Sequence, residues 1–506
     1  MKSLTTDILY TGTINDYLGI NSDFNDKLLM QEGELVYNKD NASSKEEKWF
    51  EQLGIQKSSD YFTVEFDSAG AEPIDTQSIK MGKKVKQPAN PTKTGHEFLG
   101  WYYLEEGGTE DAPTYTEIAF DDFDIPIERN YSLYAKYSGE AIMMARVNSP
   151  AFWQSAYRTN ITNILFTDKE SDVPEENDRI QTWNVRADEN CADVTAYLED
   201  DRTGNSTYSL VIYSPHTIYS NYDSYAYFSN FTKLSSITFD NYNTSKVTNM
   251  RAMFYNCSGL TNLNVSGFDT SKVTSMHNMF YNCSSLTELD VSGFDTRNVK
   301  RMGLMFKKCS GLNELDVSNF DTSKVITMNS MFESCTKLTK LDLSGFNTSK
   351  VTTMYNMFWG CSALEELDVS NFDTRNVTTM YRMFFQCTKL KEADLSSFYT
   401  PKLTNMNSMF IECKALSTVD MSNFDTSNVT DMVSLFYNCP QLVTVYAGDK
   451  WTTEKYTSNT DYLFRYTTKL VGGNGTRFST SHTNKEYARI DTPETPGYFT
   501  RKTATP

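Results

Sequence analysis

The chain has 506 residues, enough for roughly three globular units if nothing inside it repeats. Its 47 Lys and Arg stand against 65 Asp and Glu, a formal charge of −18, which is the opposite of what a nucleic-acid-binding protein carries. With 39% apolar and 13% aromatic residues the chain can bury a core. No run approaches the roughly 20 apolar residues of a membrane helix, and four scattered histidines (His96, His216, His277, His482) argue against a histidine-based metal or catalytic site.

Residues 1–60 hold one readable element, a helix EEKWFEQL with a capping box at Ser43 and Glu46 and a stop at Gly54. Residues 61–138 read as a small β-rich module. YFTVEFD puts Phe62, Val64 and Phe66 on one face, a glycine turn precedes Phe98 and Trp101, and YSLYAKY alternates again. Residues 139–233 keep strand-like runs such as Leu210 to Tyr213, and Asn148-Ser149-Pro150 supplies a start for a helix in AFWQSAYR.

From Leu234 to Gln441 one unit recurs eight times. Its cysteines, Cys257, Cys283, Cys309, Cys335, Cys361, Cys387, Cys413 and Cys439, keep one constant spacing, which sets a 26-residue period. In the copy at 286–311, Leu289 and Val291 alternate with Glu288, Asp290 and Ser292, which predicts a short strand with one buried face. Gly293-Phe294-Asp295-Thr296 is a turn, and Val299, Met302, Met305 and Phe306 fall at the spacing of one helical face. Neither half buries its apolar face alone. The expected fold is therefore an α/β solenoid, a leucine-rich-repeat-like right-handed stack of 26-residue coils, each made of strand, turn and short helix. Residues 139–233 and 442–506 would cap it, the latter after Met and Cys drop out of the pattern.

The two methionine ladders, Met250 to Met432 and Met253 to Met409, read as flexible core filler beside an unbroken ladder from Phe254 to Phe436, in preference to a soft-metal site. For the cysteines, disulfides between coils compete with buried free thiols. Phe231 occupies the cysteine position in the preceding cap segment, and side chains of a parallel stack point the same way, so free thiols are predicted.

The unit LDVSGFDTRNVKRMGLMFKKCSGL, with SNFDTSNVTDM at Ser422 to Met432 and the flanking LVGGNG and YARIDTPETPGYFT, resembles the BspA-like leucine-rich repeat family of bacterial surface proteins. VEFDSAGAEPIDTQSIKMGKKVKQPANPTKTGHEFLGWYY followed by YSLYAKY resembles the Listeria-Bacteroides repeat, the β-grasp-like B-repeat of internalins. Both resemblances imply an exported interaction protein, extracellular or attached to the cell surface. Its partner would be a host matrix protein, mucin, glycan or neighbouring cell. In internalins the leucine-rich repeats usually precede the B-repeat; here the order is reversed, and His96 stands where Tyr is more usual. Met1 is not followed by a secretory leader, and the C-terminus lacks a Leu-Pro-x-Thr-Gly sorting motif, so export signal and anchor are expected outside this chain or absent from it.

The candidate ligand-binding residues form a carboxylate ladder on the exposed strand position, Asp290, Asp316, Asp342, Asp368, Asp394 and Asp420. In register, neighbours about 5 Å apart repel by roughly 1 kcal/mol in water and attract cations or a basic partner. The competing reading is a solvated face that keeps the sheet from aggregating. A second ladder, Asp269, Asp295, Asp321, Asp373 and Asp425, reads as helix capping, and Lys246, Lys272, Lys324, Lys350 and Lys402 as a solvated face. His277 reads as a surface histidine.

There is no phosphate-binding loop, Gly-x-Ser-x-Gly elbow or Cys-x-x-Cys, so neither an enzyme nor a cofactor is expected. Outward residues Thr287, Glu288, Asn313, Glu314, Thr339 and Lys340 vary over a fixed frame, as a recognition surface requires. A surface spacer or assembly subunit without its own ligand is the alternative function.

Overall fold

The structure, a computed structural model, describes residues 28–31, 34–37, 56–57, 61–109, 112–145, 155–457 and 462–502. The capping box at Ser43 and the helix start at Asn148 lie outside the described residues. The chain divides into two compact units, Met1–Glu140 and Ala141–Pro506.

In the first unit, β1 (Leu28–Gln31) pairs antiparallel with β2 (Glu34–Tyr37), and β2 pairs parallel with β3 (Gln56–Lys57). A second, mixed sheet contains β4 (Tyr61–Asp67), β5 (Gln77–Lys80), β6 (Phe98–Thr109), β7 (Ala112–Ala119) and β8 (Tyr131–Tyr137), in the order β5-β4-β8-β6-β7. The central pair β4–β8 is parallel and the other three pairings antiparallel. Val64, Phe66, Trp101, Leu133 and Tyr137 form its core, with Trp101 edge-on to Phe66 at 5.2 Å and to Phe98 at 5.6 Å. No helix crosses this sheet among the described residues, where a β-grasp would place one. The sheet's other face carries polar pairs instead: the Tyr134 hydroxyl donates to Glu117 at 2.6 Å, and Lys136 pairs with the same carboxylate at 3.0 Å.

The second unit begins with β9 (Ala141–Ile142), α1 (Ser155–Arg158), β10 (Ile161–Thr167), β11 (Arg179–Asn184), β12 (Thr195–Asp200), β13 (Tyr208–Tyr213) and β14 (Ile218–Tyr219). Strands β11, β12 and β13 are joined antiparallel. β10 then runs parallel to both β13 and β15 (Ser236–Phe239), the first strand of the repeat region. Ordered as β11-β12-β13-β10-β15, this sheet gives the first repeat a paired edge. Phe231 is fully buried at the cysteine position.

Through the repeats, successive units align in register. Single parallel bridges link the same position of each unit to the next, running Asp223, Asn249, Ser275, Arg301, Thr327, Thr353, Thr379, Asn405, Asp431. Regular strand is sparse: Glu314–Asp316 pairs with Lys340–Asp342, and Glu392–Asp394, Thr418–Met421, Thr444–Ala447 and Phe499–Arg501 form a second parallel sheet. The strand expected at 288–292 is not a regular strand.

The helix expected at 299–306 is also absent, and its place is taken by a run of turns. Met276, Asn278, Phe280 and Asn282 donate their amides to carbonyls of the next unit, those of Arg301, Gly303, Met305 and Lys307, at 2.7–3.0 Å. The alternate amides of Met279, Tyr281 and Cys283 close turns within their own unit, on the carbonyls of Met276, Asn278 and Phe280. Two residues per unit, four apart, hold positive φ: Asn278 and Asn282, Leu304 and Lys308, Arg382 and Gln386. A right-handed helix cannot pass through left-handed residues at that spacing. The apolar 3-4 spacing is real, but it serves a wall of turns whose carbonyls face the neighbouring unit. Because this wall binds each unit to the next, the strand side needs only partial pairing.

Inside the wall, Phe254, Phe280, Phe306, Phe332 and Phe358 stack nearly parallel at 5.6–5.9 Å. Both methionine ladders are buried, as the core reading requires. All nine cysteines are free and buried. Each repeat thiol donates to a phenylalanine carbonyl of the unit before it, Cys309 to Phe280 at 3.1 Å for example, and burial pushes the thiols of Cys257, Cys335, Cys387 and Cys439 up to about 12. Buried threonines add a further tie, Thr270 Oγ1 donating to the Asp295 carbonyl at 3.0 Å and receiving the Asp295 amide at 2.8 Å.

The ladders set two expectations for experiment. Lys308 holds φ of 62°, and Gly360 occupies the equivalent position with φ of 72°, where an added Cβ would meet nothing nearer than 3.6 Å, so backbone conformation and not space is what strains Lys308. Lys308→Gly should raise the urea-unfolding free energy by about 1 kcal/mol, and Lys308→Val should lower it by a similar amount or more. Thiols held near 12 carry almost no thiolate at pH 8, so the repeat cysteines should resist a disulfide thiol reagent in native protein and react in denaturant. Native reaction of several thiols per chain would contradict their burial.

Candidate functional site: two faces of the repeat array

On the strand face, each ladder aspartate accepts the amide two residues on through Oδ1: Ser292 to Asp290, Ser318 to Asp316, Ser344 to Asp342, Ser370 to Asp368, Ser396 to Asp394 and Ser422 to Asp420, all at 2.9–3.0 Å. The carboxylate thus ends the strand segment by closing a local turn. Serine hydroxyl and amide together hold Asp290, Asp316, Asp342, Asp368 and Asp394 below the usual carboxylate range. Asp316 and Asp342 are direct cross-strand partners, so their charges do line up.

Five of the six are exposed. Asp420 is not: it is 5% exposed and ion-paired with Lys502, because Phe499–Arg501 adds to the end of the sheet and carries that lysine over it. The exposed row therefore stops at Asp394. Beside it, Glu314 pairs with Lys340 at 2.9 Å and Glu365 with Lys391 at 2.7 Å, exposed bridges worth about 0–1 kcal/mol each that neutralise part of the face. Among the described residues no group of three His, Cys, Asp or Glu side chains is placed to hold a metal ion.

The second aspartate ladder acts locally as well, Asp269, Asp295, Asp321, Asp373 and Asp425 each accepting the amide two residues on, with no helix behind them. Of the lysines, Lys324 and Lys402 reach asparagines of the preceding unit, Asn298 at 2.8 Å and Asn376 at 2.7 Å. Lys246 departs from the solvated-face expectation: it is 3% exposed and lies over the rings of Tyr219 and Tyr222. His277 is also buried, since Gly303 in the next unit leaves room for its ring; a Cβ there would meet His277 at 3.0 Å.

The turn wall carries a column of residues that no local pattern singles out. At the position of Lys307, successive units read Tyr255, Tyr281, Lys307, Glu333, Trp359, Phe385, Ile411 and Tyr437. Tyr255 and Tyr281 stack at 4.6 Å; Lys307 and Glu333 form a largely buried pair at 2.8 Å; Trp359 meets Phe385 edge-on at 5.2 Å. On a helix, this position would be a solvent side without order. Comparing it from unit to unit down the repeat register is the signal that would have shown the aromatic column.

At the start of the ladder, Asp223 is buried, accepting from Asn249 Nδ2 at 2.7 Å and from the Tyr225 amide at 3.1 Å. Burial outweighs these bonds and the nearby Arg251 charge and raises it to about 6.

Family comparisons agree with the two-part reading. Residues 62–136 match the Listeria-Bacteroides repeat domain. Residues 223–315, 289–367 and 362–474 match a family described as a Mycoplasma protein of unknown function, DUF285. One chain thus joins a Listeria-Bacteroides repeat domain to a run of units that match DUF285. A leucine-rich repeat protein from Bacteroides ovatus is similar at 16% identity, covering 73% of this chain and 80% of that one, with a TM-score of 0.32. The functional domain of InlJ from Listeria monocytogenes, which includes a cysteine ladder, is similar at 19% identity over 51% of this chain and 53% of that one, with a TM-score of 0.19. A protein of Evansella cellulosilytica named as a putative membrane protein is 34% identical over 77 residues, spanning 15% of this chain and 10% of its own length. No helix among the described residues is long and apolar enough to cross a membrane.

A pH dependence arises at Asp223. Its folded value lies above the unfolded one of 3.8, so its contribution to stability is full below about pH 4 and is lost as pH rises through about 6. Asp223→Asn should therefore stabilise the protein at pH 7.5 relative to wild type, by up to about 3 kcal/mol, and the gain should vanish at pH 4. Paired thermal melts at the two pH values measure this.

Proposed function

We propose that this chain is a bacterial surface interaction module that binds a protein or glycan of a host or neighbouring cell through the strand face of its repeats. In this reading residues 234–441 form a right-handed solenoid, closed by residues 139–233 and 442–506 and presented outside the cell by way of the 61–138 module. The observation that carries the reading is the exposed, in-register row Asp290, Asp316, Asp342, Asp368 and Asp394, set among outward residues that differ from unit to unit over an unchanging core. Such a face changes its chemistry without disturbing the fold, and its carboxylates favour a partner with a basic surface. Binding is the function this face supports.

The test uses the full chain and a variant with Asp290, Asp316, Asp342 and Asp368 changed to Asn. Asn keeps the turn-closing oxygen and removes the charge. Wild type should be retained on at least one of a panel of immobilised matrix proteins, mucins and cell-surface glycans. The variant, with an unchanged melting midpoint, should bind about tenfold more weakly. Retention on none of them, or equal binding by the variant, would remove the strand face from function.

A further inference from the structure

The turn wall holds a cation that no described carboxylate neutralises. The Arg382 guanidinium lies over three rings, Tyr381 at 4.7 Å, Phe385 at 5.2 Å and Trp359 at 5.3 Å, contributed by two adjacent units. Among the described residues it makes no ion pair, and its Nε is buried without a hydrogen-bond partner. The side chain as a whole is half-buried, as are the three rings. Its backbone is fixed too, with φ of 53° and the amide bonded to the Asn407 carbonyl at 3.0 Å. In a chain of net charge −18, two other arginines of the repeats, Arg297 and Arg375, are each spent on the aspartate two residues before them. Arg382 instead has its stem and one edge held by aromatic packing while its charge stays available, an arrangement that orients a planar donor fork toward an external anion.

The surroundings narrow the class of anion. Trp359 Nε1 donates to Gln386 Oε1 at 3.4 Å, so an indole, a side-chain amide and a guanidinium adjoin the Trp359–Phe385 pair. Apolar ring surface rimmed by planar polar groups suits a pyranose, which has an apolar C–H face and hydroxyls around its edge. An extended peptide would need free main-chain groups to pair with, and here the amides from Arg382 to Cys387 are all occupied: Arg382, Phe384 and Gln386 bond to the next unit, and Met383, Phe385 and Cys387 close turns. Glu412, the carboxylate of the next unit nearest in register to Gln386, is held by the Gln386 amide at 3.1 Å and the Asn438 amide at 3.4 Å.

We propose that Arg382, Trp359 and Phe385 form a binding site for an acidic saccharide, a sugar bearing a carboxylate or sulfate that the guanidinium receives while the rings pack against the sugar face. This site is distinct from the strand face and does not depend on that face having a ligand.

The experiment titrates the full chain with 3′-sialyllactose and a chondroitin sulfate hexasaccharide, with lactose and hexaglutamate as the neutral and peptide comparisons. At least one acidic sugar should bind, about tenfold more tightly than lactose and with affinity that falls as salt is raised. Arg382→Gln should weaken it about tenfold with no change in melting midpoint, Arg382→Lys should restore part of the loss, and Trp359→Ala should weaken it as well. The strand-face variant with four Asp→Asn changes should bind the sugar as wild type does. Failure of both acidic sugars to bind, indifference to Arg382→Gln, or equally tight Arg382-dependent binding of hexaglutamate would each overturn the assignment, the last in favour of an acidic peptide. Loss in the strand-face variant alone would move the sugar to the other face.

Discussion

The repeat array depends on one arrangement of backbone hydrogen bonds. Along each turn segment alternate amides reach the next unit and the rest close turns within their own, so a stretch such as Met276 to Cys283 leaves few main-chain donors unspent. This requires two left-handed residues per unit, a conformation costing roughly 1–2 kcal/mol for a residue with a Cβ. The cost recurs in every unit and is offset in every unit, by the inter-unit bonds and by the phenylalanine, methionine and cysteine side chains that the turns bury. The thiol suits this site because it fills the space of a small apolar group and still donates weakly to a carbonyl.

That arrangement also divides the surface into two kinds of face. On the strand side the chain is extended and its outward side chains are short or charged. They compensate one another across units, as Glu314 does with Lys340, or fold back onto their own backbone, as the ladder aspartates do. On the turn side the spacing of left-handed residues brings neighbouring columns close together, and long aromatic and basic side chains pack over one another there, as around Tyr281 and Arg382. The two faces therefore offer different chemistry: a carboxylate row on one, and rings with a bound cation on the other.

The segments flanking the repeats answer to the same constraint, since the first and last units would otherwise expose unpaired main chain. At the beginning, β10 gives β15 a parallel partner, and Asp223 provides the first rung of the bridge ladder at the expense of burying a carboxyl. At the end, Phe499–Arg501 completes the sheet and Lys502 neutralises Asp420. Asp491 ties the last loop together, receiving the amides of Asn474, Thr476 and Gly497 and the Thr476 hydroxyl.

The 26-residue period, the identity of the buried columns and the in-register alignment of units were legible in the residues alone, because a repeated apolar pattern of constant length has few ways to bury itself except against its own copies. The free thiols were legible for the same reason, from Phe231 standing in a cysteine's place. Spacing could not tell a helix from a succession of turns, since both present apolar side chains at intervals of three and four. What separates them is where each amide finds its acceptor, one helical turn back or in the following unit, and only the presence of that neighbour settles it. Partners distant in sequence likewise buried Asp420, Lys246 and His277 and gathered rings from two units around Arg382, since the local pattern at each of those positions reads as solvent.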